Sequence, residues 1–204
     1  MSLGGSTRGG GGPRERKQEL RAGALKKRRS IPRAELAELS ARVGANLLSL
    51  EEYERARLVI SYCAKEDEVQ TRPIIEEALA EGKRIAVIAT DVASKTLSFS
   101  EIKSFENDLA PGAFGILEPK RGRVRPVSIK EADIILVPLV AWDEKGRRLG
   151  YGAGYFDRAL QGARGVAKVG LALESQRLPQ IPESRYDVPL DIVVTERRIV
   201  RPRG

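Results

Sequence analysis

The chain has 204 residues, 41% of them hydrophobic, with 36 Lys and Arg against 28 Asp and Glu for a net charge of +8, and no His. Such a length supports one sizeable core, domains commonly holding roughly 100 to 200 residues. The lack of His excludes Ser-His-Asp and Cys-His nucleophile pairs, His-ligated zinc and imidazole acid-base work. The single cysteine, Cys63, excludes an internal disulfide and a Cys-rich metal site and points to a reducing, cytoplasmic setting.

Residues 1–13, rich in Gly and Ser with no apolar centre, read as a disordered leader and not a secretory signal, leaving 14–204 as a single domain. From Glu15 to Arg29 helix formers dominate, and Leu20, Ala24 and Leu25 place a narrow apolar stripe beneath basic residues. Ser30 before Pro32 opens a second helix whose Leu36, Leu39, Val43, Leu47 and Leu50 face the core. RLVISYC, Arg57 to Cys63, reads as a strand, followed by a helix from Thr71 to Gly82 and a strand at Ile85 to Ala89. Strand, helix, strand is the pattern of parallel pairing.

Residues 95–130, rich in Pro and Gly, read as loops with an edge hairpin. Near-continuous apolar runs from Asp133, Val166 and Asp191 read as strands buried on both faces. The longest, Ile134 to Trp142, is taken as one strand despite Pro138 and is far short of the ~20 residues that span a bilayer. The expected fold is a single three-layer α/β domain, its mostly parallel sheet flanked by helices on both faces.

Arg148 to Arg158, RLGYGAGYFDR, lies between an apolar strand and a helix and carries glycines at alternate positions. Such a loop leaves backbone N–H groups open to an anion, with Arg148 to counter phosphate charge and Asp157 to hold magnesium. No Gly-Lys-Ser/Thr follows, so it is not a Walker A loop, and the dinucleotide fingerprint is incomplete. Taken alone, it reads equally as a structural turn.

VPLVAWDEKGRRLGYGAGYFDRAL, Val137 to Leu160, resembles the signature of the 5-formyltetrahydrofolate cyclo-ligase (methenyltetrahydrofolate synthetase) family. KQELR at Lys17, DEVQT at Asp67, FGILEP at Phe114 and YDVPLDIVVTE at Tyr186 resemble its other blocks in order, over about residues 17 to 196. The resemblance implies a catalytic domain for ATP-driven, Mg²⁺-dependent closure of 5-formyltetrahydrofolate, polyglutamylated forms included, to the 5,10-methenyl compound. It implies that Lys17 and Arg21 reach ATP phosphates, and that Arg148, Leu149, Gly150, Tyr151, Gly152, Ala153, Gly154, Tyr155 and Phe156 wrap the nucleotide. Arg21, Glu68, Tyr151 and Tyr155 would touch the folate, Arg148, Tyr155 and Glu68 would serve the chemistry, and Asp157 and Asp187 would hold the metal. Asp191 ranks below Asp187. Ala153, Trp142 and Tyr186 depart from the residues usual in the family. A monomer acting without nucleic acid or membrane is expected.

Blander readings stand beside these. Lys17 and Arg21 could be a solvated helix face, Asp157 a partner of Arg158 or Gln161, Glu68 surface decoration and Glu118-Pro119 a turn. Cys63 reads as inert, and Trp142 as core or pocket wall. The rival function is nucleic-acid binding, from a pI near 9.8 and the clusters Lys26-Lys27-Arg28-Arg29 and Arg197-Arg198. A different enzyme on the same architecture is a further rival.

Overall fold

The computed structural model describes residues 12–202. In chain order they form α1 (Pro13–Arg29), α2 (Arg33–Leu48), α3 (Glu51–Arg55), β1 (Leu58–Ser61), α4 (Arg72–Ala80), β2 (Arg84–Asp91), β3 (Thr96–Ile102), α5 (Phe105–Asp108), β4 (Leu109–Pro111) and β5 (Leu117–Pro119). There follow β6 (Pro126–Val127), β7 (Ile134–Val137), β8 (Ala141–Trp142), β9 (Arg148–Leu149), α6 (Tyr155–Leu160), β10 (Ala167–Leu171), β11 (Ile192–Val194) and β12 (Ile199–Val200). The leader expected at 1–13 lies outside the described residues up to 11. Pro13, counted in it, is instead the first residue of α1, where its fixed φ suits the opening turn.

Eight strands form one sheet in the order β12-β11-β10-β7-β1-β2-β3-β6. β11, β10, β7, β1 and β2 run parallel, and β12, β3 and β6 add antiparallel edges. The parallel part is the mostly parallel sheet expected, and its strands are apolar because both faces are covered: β1, β7 and β11 are buried at every position. α4 packs on β2 and α2 on β11. No described helix is long and apolar enough to cross a membrane.

Three expectations are corrected. The run Ile134 to Trp142 is not one strand: β7 stops at Val137, because Pro138 has no N–H for the ladder, and Ala141–Trp142 pairs with Arg148–Leu149 in a separate hairpin. The second helix ends at Leu48, so Leu50 is buried as the N-cap of α3. Residues 96–102, read within loops carrying an edge hairpin, form a long antiparallel partner of β2, and β4 pairs with β5 in a hairpin of its own.

The β8–β9 turn wraps the Asp143 carboxylate, which accepts N–H groups of Lys145, Arg147 and Ile181. Gly146 in this turn has φ +74°, and a Cβ there would meet the Leu190 carbonyl at 2.5 Å. Gly146→Ala is therefore expected to cost about 3 kcal/mol, adding left-handed strain to a backbone clash. Urea denaturation measures it.

Candidate active site

The chain runs from β1 to one side (β2) and from β7 to the other (β10), so the sheet has a switch point between β1 and β7. Ligands of open α/β sheets bind at the carboxyl ends of strands at such points. Here those ends, Tyr62 and Cys63 after β1, Thr90 of β2 and Pro138 after β7, floor a cleft of about 1320 Å³.

α1 forms one wall. Leu20, Ala24 and Leu25 seat it on Val140, Ala141, Leu149 and Ile181, so the Leu149 side chain is buried beneath the helix. Arg14, Lys17, Gln18 and Arg21, at helical spacing, then face the cleft. Arg21 Nε donates to the Gly150 carbonyl at 2.7 Å, and burial lowers the pKa of its guanidinium.

The glycine loop forms the opposing wall. Gly152 (φ +101°) and Gly154 (φ +71°) occupy backbone regions that L side chains avoid, and Gly152 lies directly against the Arg21 guanidinium. Ala153 is not among the residues with positive φ, so its methyl sits in the loop at no backbone cost. Arg158 donates to the carbonyls of Ala153 (3.1 Å) and Lys95 (2.6 Å), tying the loop to the β2–β3 turn. Tyr155, whose ring packs under Arg158 at 5.4 Å, and Phe156 line the cleft from the start of the six-residue α6.

Two aspartates meet this loop. Asp157 Oδ1 accepts from Arg148 Nη2 (2.7 Å) and from the Val188 N–H (3.3 Å), and Arg148 also donates to the Val188 carbonyl. Neither Arg158 nor Gln161 is its side-chain partner. Burial lowers the Arg148 pKa, opposed by Asp157 and Asp187. Asp187 Oδ2 pairs with Lys17 Nζ and accepts the Ser184 N–H at 2.8 Å, so Lys17 is not a solvated face. Asp191 instead holds Lys168 and its N–H, and does not line the cleft. Among the described residues no three of His, Cys, Asp and Glu converge.

Glu68 is 5% exposed, which corrects the surface reading. Its Oε2 accepts the Lys65 N–H (2.8 Å) and its Oε1 the Tyr151 hydroxyl (2.6 Å), and burial, then Glu68, raises the Tyr151 pKa. Beyond Tyr151 stands Arg28, 2% exposed, bonded also to Asp67 (2.8 Å) and the Leu139 carbonyl (3.1 Å). Burial works against its charge, but Tyr151, Asp67 and Glu68 outweigh that and raise its pKa. Lys65 holds its ammonium 4.6 Å from the Tyr151 ring centroid.

The sequence reading missed Arg28, Asp67 and Lys65 as site residues. Lys17, Arg21 and Arg28 stand four and seven residues apart on one helix face, a signal that could have found Arg28. Elsewhere, Glu118 accepts the Thr90 N–H (2.9 Å), and the Cys63 thiol is pushed up to about 12 by burial and Glu118. Trp142 is 0% exposed and donates to the Leu173 carbonyl, so it is core and not pocket wall. Tyr186 is exposed on the rim, under the Arg185 guanidinium.

Cations, a glycine loop and two aspartates line one cleft at the carboxyl ends of the parallel strands, with a buried carboxylate beside them, in an α/β protein. A model of the 5-formyltetrahydrofolate cyclo-ligase family matches residues 13–196. The chain is 33% identical over 185 residues to the 5-formyltetrahydrofolate cyclo-ligase of Mycolicibacterium smegmatis, covering 89% of this chain and 94% of that one. It is 29% identical over 183 residues to the Haemophilus influenzae protein of the same name, covering 88% and 98%. The NMR structure of Aquifex aeolicus 5,10-methenyltetrahydrofolate synthetase matches with a TM-score of 0.81 at 37% identity, over 92% of this chain and 93% of that one. This chain belongs to the 5-formyltetrahydrofolate cyclo-ligase family. That membership displaces the nucleic-acid reading, whose basic cluster also loses Arg28 to the interior.

Proposed function

We propose that this chain closes 5-formyltetrahydrofolate to 5,10-methenyltetrahydrofolate with ATP and Mg²⁺, releasing ADP and phosphate. The observation that carries the reading is the convergence of Lys17, Arg21, the 150–154 loop, Asp157 and Asp187 on one cleft with Glu68. A formamide carbonyl is a poor electrophile, because its nitrogen lone pair is delocalised into it. The formyl oxygen therefore attacks the γ-phosphorus and ADP leaves. N10 attacks the activated carbon, a proton leaves N10, and phosphate departs as the ring closes. Such a sequence asks for positioning and charge stabilisation, which a chain without His can supply.

Lys17, Arg21 and the loop N–H groups hold the phosphates. Tyr155 and Phe156 wall the nucleotide side, and Glu68 accepts an N–H of the pterin. Asp157 Oδ2 and Asp187 Oδ1 have no hydrogen bond among the described residues. Two hard oxygens, with remaining positions for phosphate and water, fit Mg²⁺. Bound there, the ion would neutralise charge on the phosphate oxygens. Arg148, its guanidinium engaged on two sides, holds Asp157. In this reading a monomer is the working unit, in the cytoplasm, on mono- or polyglutamylated folate.

The test follows the near-ultraviolet absorbance of the methenyl product with 5-formyltetrahydrofolate, ATP and Mg²⁺. Growth that needs both ATP and metal supports the reading, and none with intact protein overturns it. Lys17→Ala with Arg21→Ala is expected to raise the KM for ATP at least about a hundredfold, two charged hydrogen bonds being lost at about 1.5–3 kcal/mol each. Initial rates against ATP concentration measure it.

A further inference from the structure

We infer that Arg28 is a positioning residue for folate binding, acting through Tyr151 on Glu68. The inference rests on the reading of Glu68 as the folate-side carboxylate. Arg28 has only donors, so the Tyr151 hydroxyl must accept its bond (2.7 Å), and the phenolic proton is left to point at Glu68 Oε1 (2.6 Å). The direction of the chain from Arg28 to Tyr151 to Glu68 is thereby set. With Oε2 held by the Lys65 N–H, the carboxylate is fixed in the cleft wall with lone pairs left for a ligand N–H.

Tyr151 needs this tether. It stands between Gly150 and Gly152, where the backbone restrains it little, and the residue is 42% exposed at the cleft mouth. Arg28 does not need Tyr151 to stay in place, because Asp67 and the Leu139 carbonyl hold the guanidinium on its other sides. Of the four basic residues that end α1, Arg28 alone is buried.

Steady-state kinetics on the full chain test this. Tyr151→Phe keeps the other bonds of Arg28 and is expected to raise the KM for 5-formyltetrahydrofolate about tenfold, with a much smaller change in the KM for ATP. Arg28→Met should match it, Arg28→Lys should recover part of the loss, and the double variant should be no worse than Arg28→Met alone. Folded variants with lowered Tm but wild-type folate KM overturn the inference, as does a double variant whose effects multiply. If Arg28→Met does not fold, Arg28→Gln takes its place in the comparison with Tyr151→Phe and in the double variant. Glu68→Gln separates the two levels: an unchanged folate KM there sinks the reading of Glu68 and the inference with it. A raised one beside an unaffected Tyr151→Phe sinks the inference alone.

Discussion

Replacing Asp157 by Asn is expected to lower Mg²⁺-dependent turnover more than about a hundredfold, the scale of a lost contact to developing charge, while leaving a folded protein. Asn retains an oxygen for Arg148 Nη2 and the Val188 N–H, so the local arrangement survives. What it loses is negative charge, which both Arg148 and a hard cation require. Breaking a buried pair by removing one partner costs about 3–5 kcal/mol. Asp157 is 29% exposed against 4% for Arg148, so solvent softens the loss, and about 1–2 kcal/mol is expected. Initial rates across a Mg²⁺ series and urea denaturation measure the two effects separately. Turnover equal to the parent chain would remove Asp157 from the site.

Arg148→Met is expected to be nearly as damaging by a different route. Met keeps much of the buried volume but has no donors, so the Val188 carbonyl loses its partner and Asp157 its anchor. The Val188 carbonyl is only partly buried, so orphaning it costs about 1 kcal/mol, and turnover should again fall about a hundredfold, because Asp157 and the 184–188 segment shift together. The double variant with Asp157→Asn distinguishes two roles. If Arg148 acts by holding Asp157, the double variant is no slower than the slower single. Losses that multiply would mean that the guanidinium touches the transferring phosphoryl group itself.

The elements legible in the sequence owe their form to local properties. β1, β2, β10 and β11 are short apolar runs, and α1 and α4 carry helical periodicity with Pro, Thr or Gly at their ends. β3 was not legible, since TLSFSEI mixes polar and apolar residues and becomes a strand by pairing along all of its length with β2. Nor was the break at Pro138 read correctly. Apolar content persists through it, whereas hydrogen bonding does not.

At the cleft the division is similar. The glycine loop with its neighbouring aspartate, and the order of the family blocks, are written in contiguous residues, and the family could be read from them. Helical spacing from Lys17 and Arg21 marks Arg28 among Lys26, Lys27, Arg28 and Arg29, but its burial and its partners are decided only when α1 docks on the β8–β9 hairpin. Arg28 and Tyr151 are separated by 123 positions and Tyr151 and Glu68 by 83, yet all three share one hydrogen-bonded chain. Sequence by itself determined the helices and parallel strands with strong local patterns, the family and the residue types available for chemistry. Only the tertiary structure decided which charges lose their water, because burial and the choice of hydrogen-bond partner depend on surfaces that distant segments bring together.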